Sequence, residues 1–443
     1  MSVLKERIQR LHLLLQKVTK IPAEWAVASG DCGGGDRIEP LFCKSWATVE
    51  SEWMKCMRWR QEISDVFSAM MAVAASTSQA GDQLCLQVVA DAGSGKGRMC
   101  DALLVSHHCF PLRHFTGFHS GKKGEEGKDL SLIGRINHKT LITPEGDTLV
   151  SSPMYHELMS QMRQIYDGST GSIFKTTDND MEWKGLRTPW ILACTPALLD
   201  HDQSRVGDRF LRVRLHRPAG DERRQIVLAA MRSQRSSVIE TSNGSGGGVE
   251  QRWQRAYALA GGYVNWLREN LADAVRHVDM NGQAEWHLAD LAELIADMRA
   301  RPNPDQRKQE VHDTKELPTR LGSQLVRLAM CLAVVMNKES VDKEVLRRVR
   351  KVALDTSYGR TMDLCRWFFA VDTGTRRTYQ DGNGLMTALL ARWAGYDESK
   401  LLAYLNFLAK IEVVEHAATP QSSGYWKLTP RVAELYLNIH ARS

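Results

Sequence analysis

Leu86-Gln-Val-Val-Ala-Asp-Ala-Gly-Ser-Gly-Lys96-Gly-Arg-Met-Cys-Asp-Ala-Leu-Leu104 is the stretch on which the reading of the fold turns. A short apolar run ending at Val89 reads as a buried strand, a glycine-rich turn with one lysine follows, and Arg98 to Leu104 has helix-forming composition. Strand, glycine turn and helix in that order make a phosphate loop. The glycines let main-chain N–H groups close on phosphate oxygens, the lysine reaches the outer phosphates, and the helix N-terminus adds a favourable field. Gly93, Ser94, Gly95, Lys96 and Gly97 occupy those positions. Two residues depart from the full pattern: Ala90 stands where it has Gly, and Gly97 where a Ser or Thr hydroxyl normally ligates magnesium. A glycine turn in some other α/β protein is the alternative reading.

The segments that follow add to this start. His138 to Asp147 gives another short strand, ending in Pro144, Glu145 and Asp147, with an ordinary acidic turn as its alternative. Met154, Leu158, Met162 and Ile165 share one face of a helix that Asp167-Gly168 closes. Ser172 to Lys184 reads as a hairpin with Asp178-Asn179-Asp180 at its tip and Lys175 and Lys184 on its arms. Thr188 to Thr195 is a third buried strand ending in a small polar residue. Arg212 and Arg214 alternate with Leu211, Val213 and Leu215 on a further strand, which predicts one wet face. Gly121 to Lys128 reads as a mobile loop. His107-His108-Cys109 predicts no metal site, because adjacent residues rarely chelate one ion together.

Around this core, Leu4, Ile8, Leu11, Leu14, Leu15 and Val18 predict an amphipathic helix, and Asp31 to Asp36 a break. Trp46 to Ala75 reads as helical, with Trp53, Met57, Ile63, Val66, Phe67 and Met70 inward, a cap on the core. Ser236 to Gly248 is a Ser/Gly-rich linker, residues 251–300 and 316–370 are helical by pattern, and Pro302-Asn-Pro304 interrupts them. From about residue 376 the rhythm is helix (Leu385–Ala394), helix (Ser399–Lys410), strand (Val413–His416), loop (Ala418–Gly424) and strand (Tyr425–Leu428): the winged-helix form of helix-turn-helix. Leu401, Leu402, Leu405 and Leu408 are its core, which leaves Lys400, Asn406, Lys410 and Lys427 for DNA, with protein binding as the alternative. The expected domains are a leader (1–80), an α/β core (81–235), a helical lid (250–372) and the winged helix (376–443).

The 443 residues carry a net charge of +6 and a pI of about 8.8, which allows an anionic partner without demanding one. Nine cysteines contain no C-x-x-C pair, so neither a zinc ribbon nor a secreted disulfide framework is suggested. Reduced thiols, a charged N-terminus and the lack of a bilayer-length apolar run predict a soluble, cytoplasmic protein, nucleoid-associated or nuclear according to host, with no membrane partner.

The order of motifs over residues 84–215 resembles an AAA+ ATPase, in detail the minichromosome maintenance helicases and their shorter relatives in phages and mobile elements. The loop resembles Ala90 to Gly97 and the acidic strand end resembles Pro144-Glu-Gly-Asp147; a helix and a DNA-gripping hairpin then precede the sensor strand. The resemblance implies an α/β fold: a P-loop AAA+ core with helical lid, helical leader and C-terminal winged helix. It implies ATP and Mg2+ as cofactors, DNA and a homo-oligomeric ring such as a hexamer as partners, and DNA-translocating ATP hydrolysis as activity. Lys96 would bind phosphates, Glu145 would orient the attacking water and Asp147 would stand by the metal. Thr195 would sense the γ-phosphate, Arg209 would be an arginine finger completing a neighbour's site, and Arg320 would be the second sensor arginine. Lys175 and Lys184 would hold the DNA backbone. Ala90, Gly97 and Pro144 depart from the family, and its long N-terminal DNA-binding domain is absent. A non-hydrolysing DNA-binding scaffold and a STAND-like nucleotide-gated regulator are the alternatives.

Overall fold

The computed structural model describes residues 38–113, 117–120, 130–150, 152–174, 179–197, 209–242, 248–300, 317–419 and 422–441. The expected helix at 3–18, the break at 31–36, the loop at 121–128, Lys175 and the Pro302–Pro304 interruption fall outside them. Residues 40–443 form one unit. In chain order it contains α1 (Trp46–Cys56), α2 (Gln61–Ser76), β1 (Cys85–Ala90), α3 (Lys96–Leu104), β2 (Cys109–Pro111), α4 (Ile133–Ile136) and β3 (Thr140–Thr143). Next come α5 (Gly146–Val150), α6 (Tyr155–Tyr166), β4 (Ser169–Phe174), β5 (Asn179–Lys184), β6 (Trp190–Cys194) and β7 (Phe210–Leu215). Helices α7 (Gly220–Ser242), α8 (Gly248–Ala274), α9 (Gly282–Arg299), α10 (Pro318–Val335), α11 (Lys343–Ser357) and α12 (Arg360–Phe368) follow. The C-terminal part is β8 (Leu385–Met386), α13 (Thr387–Ala394), α14 (Glu398–Lys410), β9 (Val414–Thr419), β10 (Ser422–Leu428) and α15 (Pro430–Ala441).

The fold is mixed α/β around a five-stranded sheet of order β2-β3-β6-β1-β7, parallel in every pairing. Parallel strands are covered on both faces and so need apolar side chains throughout. Every residue of β1, β3 and β6 is accordingly buried. Strand β6 lies between β1 and β3, so the acidic strand is one place removed from β1, the strand that leads into the glycine loop.

Helix α2 is the centre of the core and not a cap. All residues from Ile63 to Ser76 are buried, with the sheet on one side and α10 on another. Its mostly apolar residues suit an interior helix, and its polar Asp65 is paired there by Arg347. The segment 46–75 is two helices because Met57–Arg60 leaves the helical path, with Met57 extended at φ −147°. The break lets Trp59 donate to Glu50 at 3.0 Å and pack 6.1 Å from Trp53. Fully buried Trp53 also meets Phe67 of α2 at 4.5 Å and Trp253 of α8 edge-on at 5.5 Å, joining three helices.

Strand β7 has no wet face. Its outer edge is sealed by α11: Arg212 N donates to Thr356 Oγ1 at 2.8 Å and Arg214 N to Asp355 Oδ2 at 2.8 Å. Side chains of a helix thus replace the next strand of the sheet. Arg212, 3% exposed, donates to Gln87 Oε1 at 3.0 Å, and the Arg214 guanidinium stacks 3.7 Å from the Tyr358 ring. Arg347 of α11 forks onto Asp65 of α2 with two 2.7 Å bonds, tying the same helix to the core.

Other boundaries differ from the sequence reading. Residues 236–242 belong to α7, and α8 begins at Gly248, so only five residues separate two helices. The hairpin starts at Ser169, and Asn179 and Asp180 belong to its second strand. Leu385-Met386 pairs with β10 before the helix starts, and β9 and β10 extend into the expected loop. The closing helix α15, packed on α9, was not anticipated. No helix among the described residues is long and apolar enough to cross a membrane.

Because Thr356 supplies the acceptor for a buried N–H of the edge strand, Thr356→Val is expected to lower unfolding free energy by about 1–3 kcal/mol. Urea denaturation would show it as a lower midpoint at unchanged slope.

Candidate functional site

The phosphate-loop candidate rises from the C-terminal end of β1. Gly93 and Gly95 have φ of +77° and +93°, the left-handed region that a side chain resists. These two residues fold the loop over the start of α3. Ser94 N closes the turn on Asp91 O at 3.3 Å, while Ser94 Oγ is buried with no hydrogen-bond partner. The Lys96 ammonium donates to the carbonyls of Ala90 at 3.1 Å and Asp91 at 3.3 Å, both in its own loop. Ala90 is buried within the strand opposite Leu215, so its methyl group fits there. A Cβ on Gly97 would meet nothing within 4 Å. There is room at position 97 for the hydroxyl that the chain lacks.

The acidic end of β3 and the end of β6 meet beside this loop. Thr195, after β6, donates its N–H to both carboxylate oxygens of Asp147 at 3.1 and 3.0 Å and its hydroxyl to Oδ1 at 2.9 Å. Gly146 makes the approach possible, since a Cβ there would lie 2.6 Å from Leu192 and 3.1 Å from the Ala193 carbonyl. The buried Cys194 thiol records the neighbourhood: burial pushes it up to about 12, helped by Asp147 and opposed by Arg212 and Lys96. Glu145 is exposed, and its carbonyl accepts the Thr148 N–H and hydroxyl. Among the described residues, no group of three or more His, Cys, Asp or Glu could hold a metal ion.

Arg209 and Arg320 both act at Tyr166, away from the loop. Arg209 precedes β7, at the opposite end of the sheet from the loop, where it pairs with Asp167 at 2.8 Å and lies 5.5 Å from the Tyr166 ring. Burial raises the Tyr166 hydroxyl, and Arg320 is among the charges that act on it. Gln324 of α10 donates to Tyr166 Oη at 2.8 Å and to the Arg209 carbonyl at 3.1 Å, joining the two regions.

The expected DNA contacts are dispersed. Lys184 is exposed and paired with Glu182 at 3.0 Å, an exposed pair of little energetic weight. Asp397 caps α14 through the Lys400 N–H, and Lys400 and Lys410 are exposed at its two ends. Ten residues place them about 15 Å apart along the axis and on different faces. Lys427 is half-buried on β10 opposite Glu415.

Three features escaped the sequence reading because their parts are far apart in the chain. Arg217, beyond β7, donates from Nε to Asp91 Oδ2 at 2.8 Å and so closes on the loop. A cleft of about 250 Å³ lies between the α1 end and helices α7 and α8, lined by Met57, Arg58, Ser233, Arg252 and Trp253. It adjoins the loop, because a Cβ added at Gly95 would lie 3.4 Å from Met57 Cε and the Arg98 guanidinium lies 4.4 Å from the Trp253 ring centroid. Third, Glu62 accepts from His216 N at 3.0 Å, His216 Nδ1 at 2.5 Å and Lys351 Nζ at 3.3 Å.

No protein-family model matches the sequence, and no curated protein matches it significantly.

Burial alone would raise the Glu62 carboxyl, yet the His216 hydrogen bonds and the Lys351 charge outweigh it and hold the group at about 2. A depressed acid stabilises the fold above its unfolded value near 4.5, and that contribution is lost as pH falls toward about 2. Glu62→Gln is therefore expected to flatten the acid limb of stability between those two values, measured by thermal melts across pH.

Proposed function

We propose that the chain is an AAA+-type ATPase acting on DNA as a ring-forming, replicative-helicase-like motor. The observation that carries this reading is the convergence of Lys96, Asp147 and Thr195 at the C-terminal end of one parallel sheet, the end where open α/β sheets take their ligands. The orphan Ser94 hydroxyl, the loop N–H groups and Lys96 suit a polyphosphate. Lys96, held on two loop carbonyls, has only to turn to exchange them for phosphate oxygens. The cleft beside Met57 and Trp253 would take the remainder of the nucleotide. Asp147 would be the protein's contact to magnesium, which neutralises charge developing on the phosphates. Glu145, exposed at the same strand end, would orient the attacking water.

Arg209 supports a ring. It stands before a six-residue strand, roughly 20 Å long at 3.3 Å per residue, and so cannot reach its own loop. An arginine so placed would serve the site of a second copy, with Arg320 close enough for its charge to act on the Tyr166 hydroxyl. The order of helices and strands in residues 385–441 supports the winged-helix reading; Lys400, Asn406, Lys410, Lys427 and, on the hairpin, Lys184 would meet DNA separately and not as one patch.

A second reading, a non-hydrolysing AAA+-fold DNA-binding scaffold, draws on two facts. Both Asp147 oxygens are already taken by Thr195, and position 97 has no hydroxyl.

Steady-state ATP hydrolysis with and without single-stranded DNA separates the two. The motor predicts DNA-stimulated turnover, abolished in Lys96→Ala and lowered on the order of 10²-fold or more in Glu145→Gln. The open space at position 97 predicts that Gly97→Ser folds normally and turns over faster at low magnesium. A natural chain with intact DNA binding and no turnover would overturn the motor and favour the scaffold.

A further inference from the structure

At the end of the sheet opposite the phosphate loop, the starts of β2, β3 and β6 carry cations that the proposed chemistry does not use. Arg268 of α8 donates from Nη2 to the His138 carbonyl at 2.8 Å. Arg187, before β6, forks onto the Gly81 carbonyl at 3.1 and 3.2 Å, and Arg327 of α10 donates to the neighbouring Ala80 carbonyl. Arg135 and Lys139 lie 5.5 and 5.9 Å from the centroid of the same Phe110 ring. These groups adjoin one another: Arg268 and Lys139 both act on His107 and His108, Arg268 and Arg187 on His138, and Arg187 on Arg327. Arg135 is exposed and the other four are partly exposed. They make one continuous strip.

The four arginines of the strip have little counter-charge among the described residues. Among the described residues Arg135, Arg187, Arg268 and Arg327 form no ion pair, and the acids that act there are Glu269 near His107 and Asp82 near Arg327. Bonds to main-chain carbonyls hold the guanidinium groups in place without neutralising them. Nε and Nη1 of Arg268 and Nη1 of Arg327 are buried donors with no acceptor, and such groups call for one. Burial, reinforced by the neighbouring cations, holds His108 at about 3 and lowers His107 and His138. At neutral pH the charge therefore sits on the arginines and Lys139.

We propose that this strip is a nucleic-acid surface that grips the sugar-phosphate backbone, separate from the hairpin and from the C-terminal helices. Cations set along adjacent strand starts, about 4.8 Å apart, match a linear polyanion. The exposed guanidinium of Arg135 and the partly exposed one of Arg187 suit phosphodiester oxygens. None of the strip residues is a large exposed apolar side chain that could enter a bilayer, which disfavours a lipid surface. The proposal goes beyond the ATPase reading and needs no nucleotide turnover.

The test is fluorescence anisotropy of the full chain on labelled single-stranded and duplex DNA, without nucleotide, at ~0.1 M salt. The variants are Arg135→Ala/Lys139→Ala/Arg187→Gln in the strip and Lys400→Ala/Lys410→Ala/Lys427→Ala at the C-terminus. The strip variant is expected to lose at least about tenfold in affinity, with its log K against log salt slope flatter by about two to three. Its DNA-independent ATP turnover, whatever that is in the natural chain, stays unchanged, so this outcome and that of the motor reading are scored separately. Should the triple variant lose thermal stability, Arg135→Glu alone, an exposed side chain held only against a ring, must weaken binding at least about threefold. Strip variants that bind like the natural chain overturn the proposal, as does a natural chain that binds neither DNA. Loss of pelleting with phosphatidylserine vesicles while DNA binding is untouched would overturn it in favour of a lipid surface.

Discussion

The sealed outer edge of β7 is the constraint on which the rest of the arrangement depends. An edge strand of a parallel sheet must find partners for its outward N–H groups, and here Thr356 and Asp355 of α11 supply them. That solution draws the whole helical region onto the sheet, because α11 also grips α2 through Arg347 and Asp65. It also sets the two ends of β7 apart. Arg209 stands at one end with Asp167 and Tyr166, and Arg217 at the other reaches the loop residue Asp91.

Helix α3, which follows the glycine loop, is held from the same side. Arg98 at its start donates to Tyr257 of α8 at 3.1 Å and covers Trp253, and Ser106 just past its end bonds Asn265 of α8 at 2.6 Å. Trp53 joins α1 and α2 to this group through its ring contacts. Residues 250–372, expected as a lid over the core, are thus partly its wall. The cleft beside Met57 and Trp253 is lined by α1, α7 and α8 and so belongs to the same helical layer.

The opposed ends of the sheet divide the chemistry. At the C-terminal ends, acids and one lysine meet around an open loop. At the N-terminal ends, cations gather with few acids, and the low proton affinity of His108 reflects both burial and that concentration of charge.

Short-range patterns were legible in the chain: the apolar runs of β1, β3 and β6, the glycine loop ending at Lys96, the amphipathic face of α6 and the alternating helices and strands of the C-terminus. Each depends on residues within a turn or a strand of one another, where periodicity and turn chemistry act directly. Boundaries moved where tertiary partners intervened, as at Met57–Arg60, where Trp59 reaches Glu50, and at Leu385-Met386, captured by β10. Arg212 and Arg214 read as a wet face because alternation cannot reveal Gln87, Thr356 and Tyr358 waiting on the other side. By itself the sequence determined that β1, its glycine loop and α3 would follow one another, since that rests on local backbone freedom and helix-forming composition. Only the tertiary structure decided that β6 would come between β1 and β3. That placement joined Asp147 to Thr195, while the parallel pairing of β7 with β1 set Arg209 far from Lys96, because strand order and direction are chosen by long-range packing on α2 and α11 and not by neighbours in the chain.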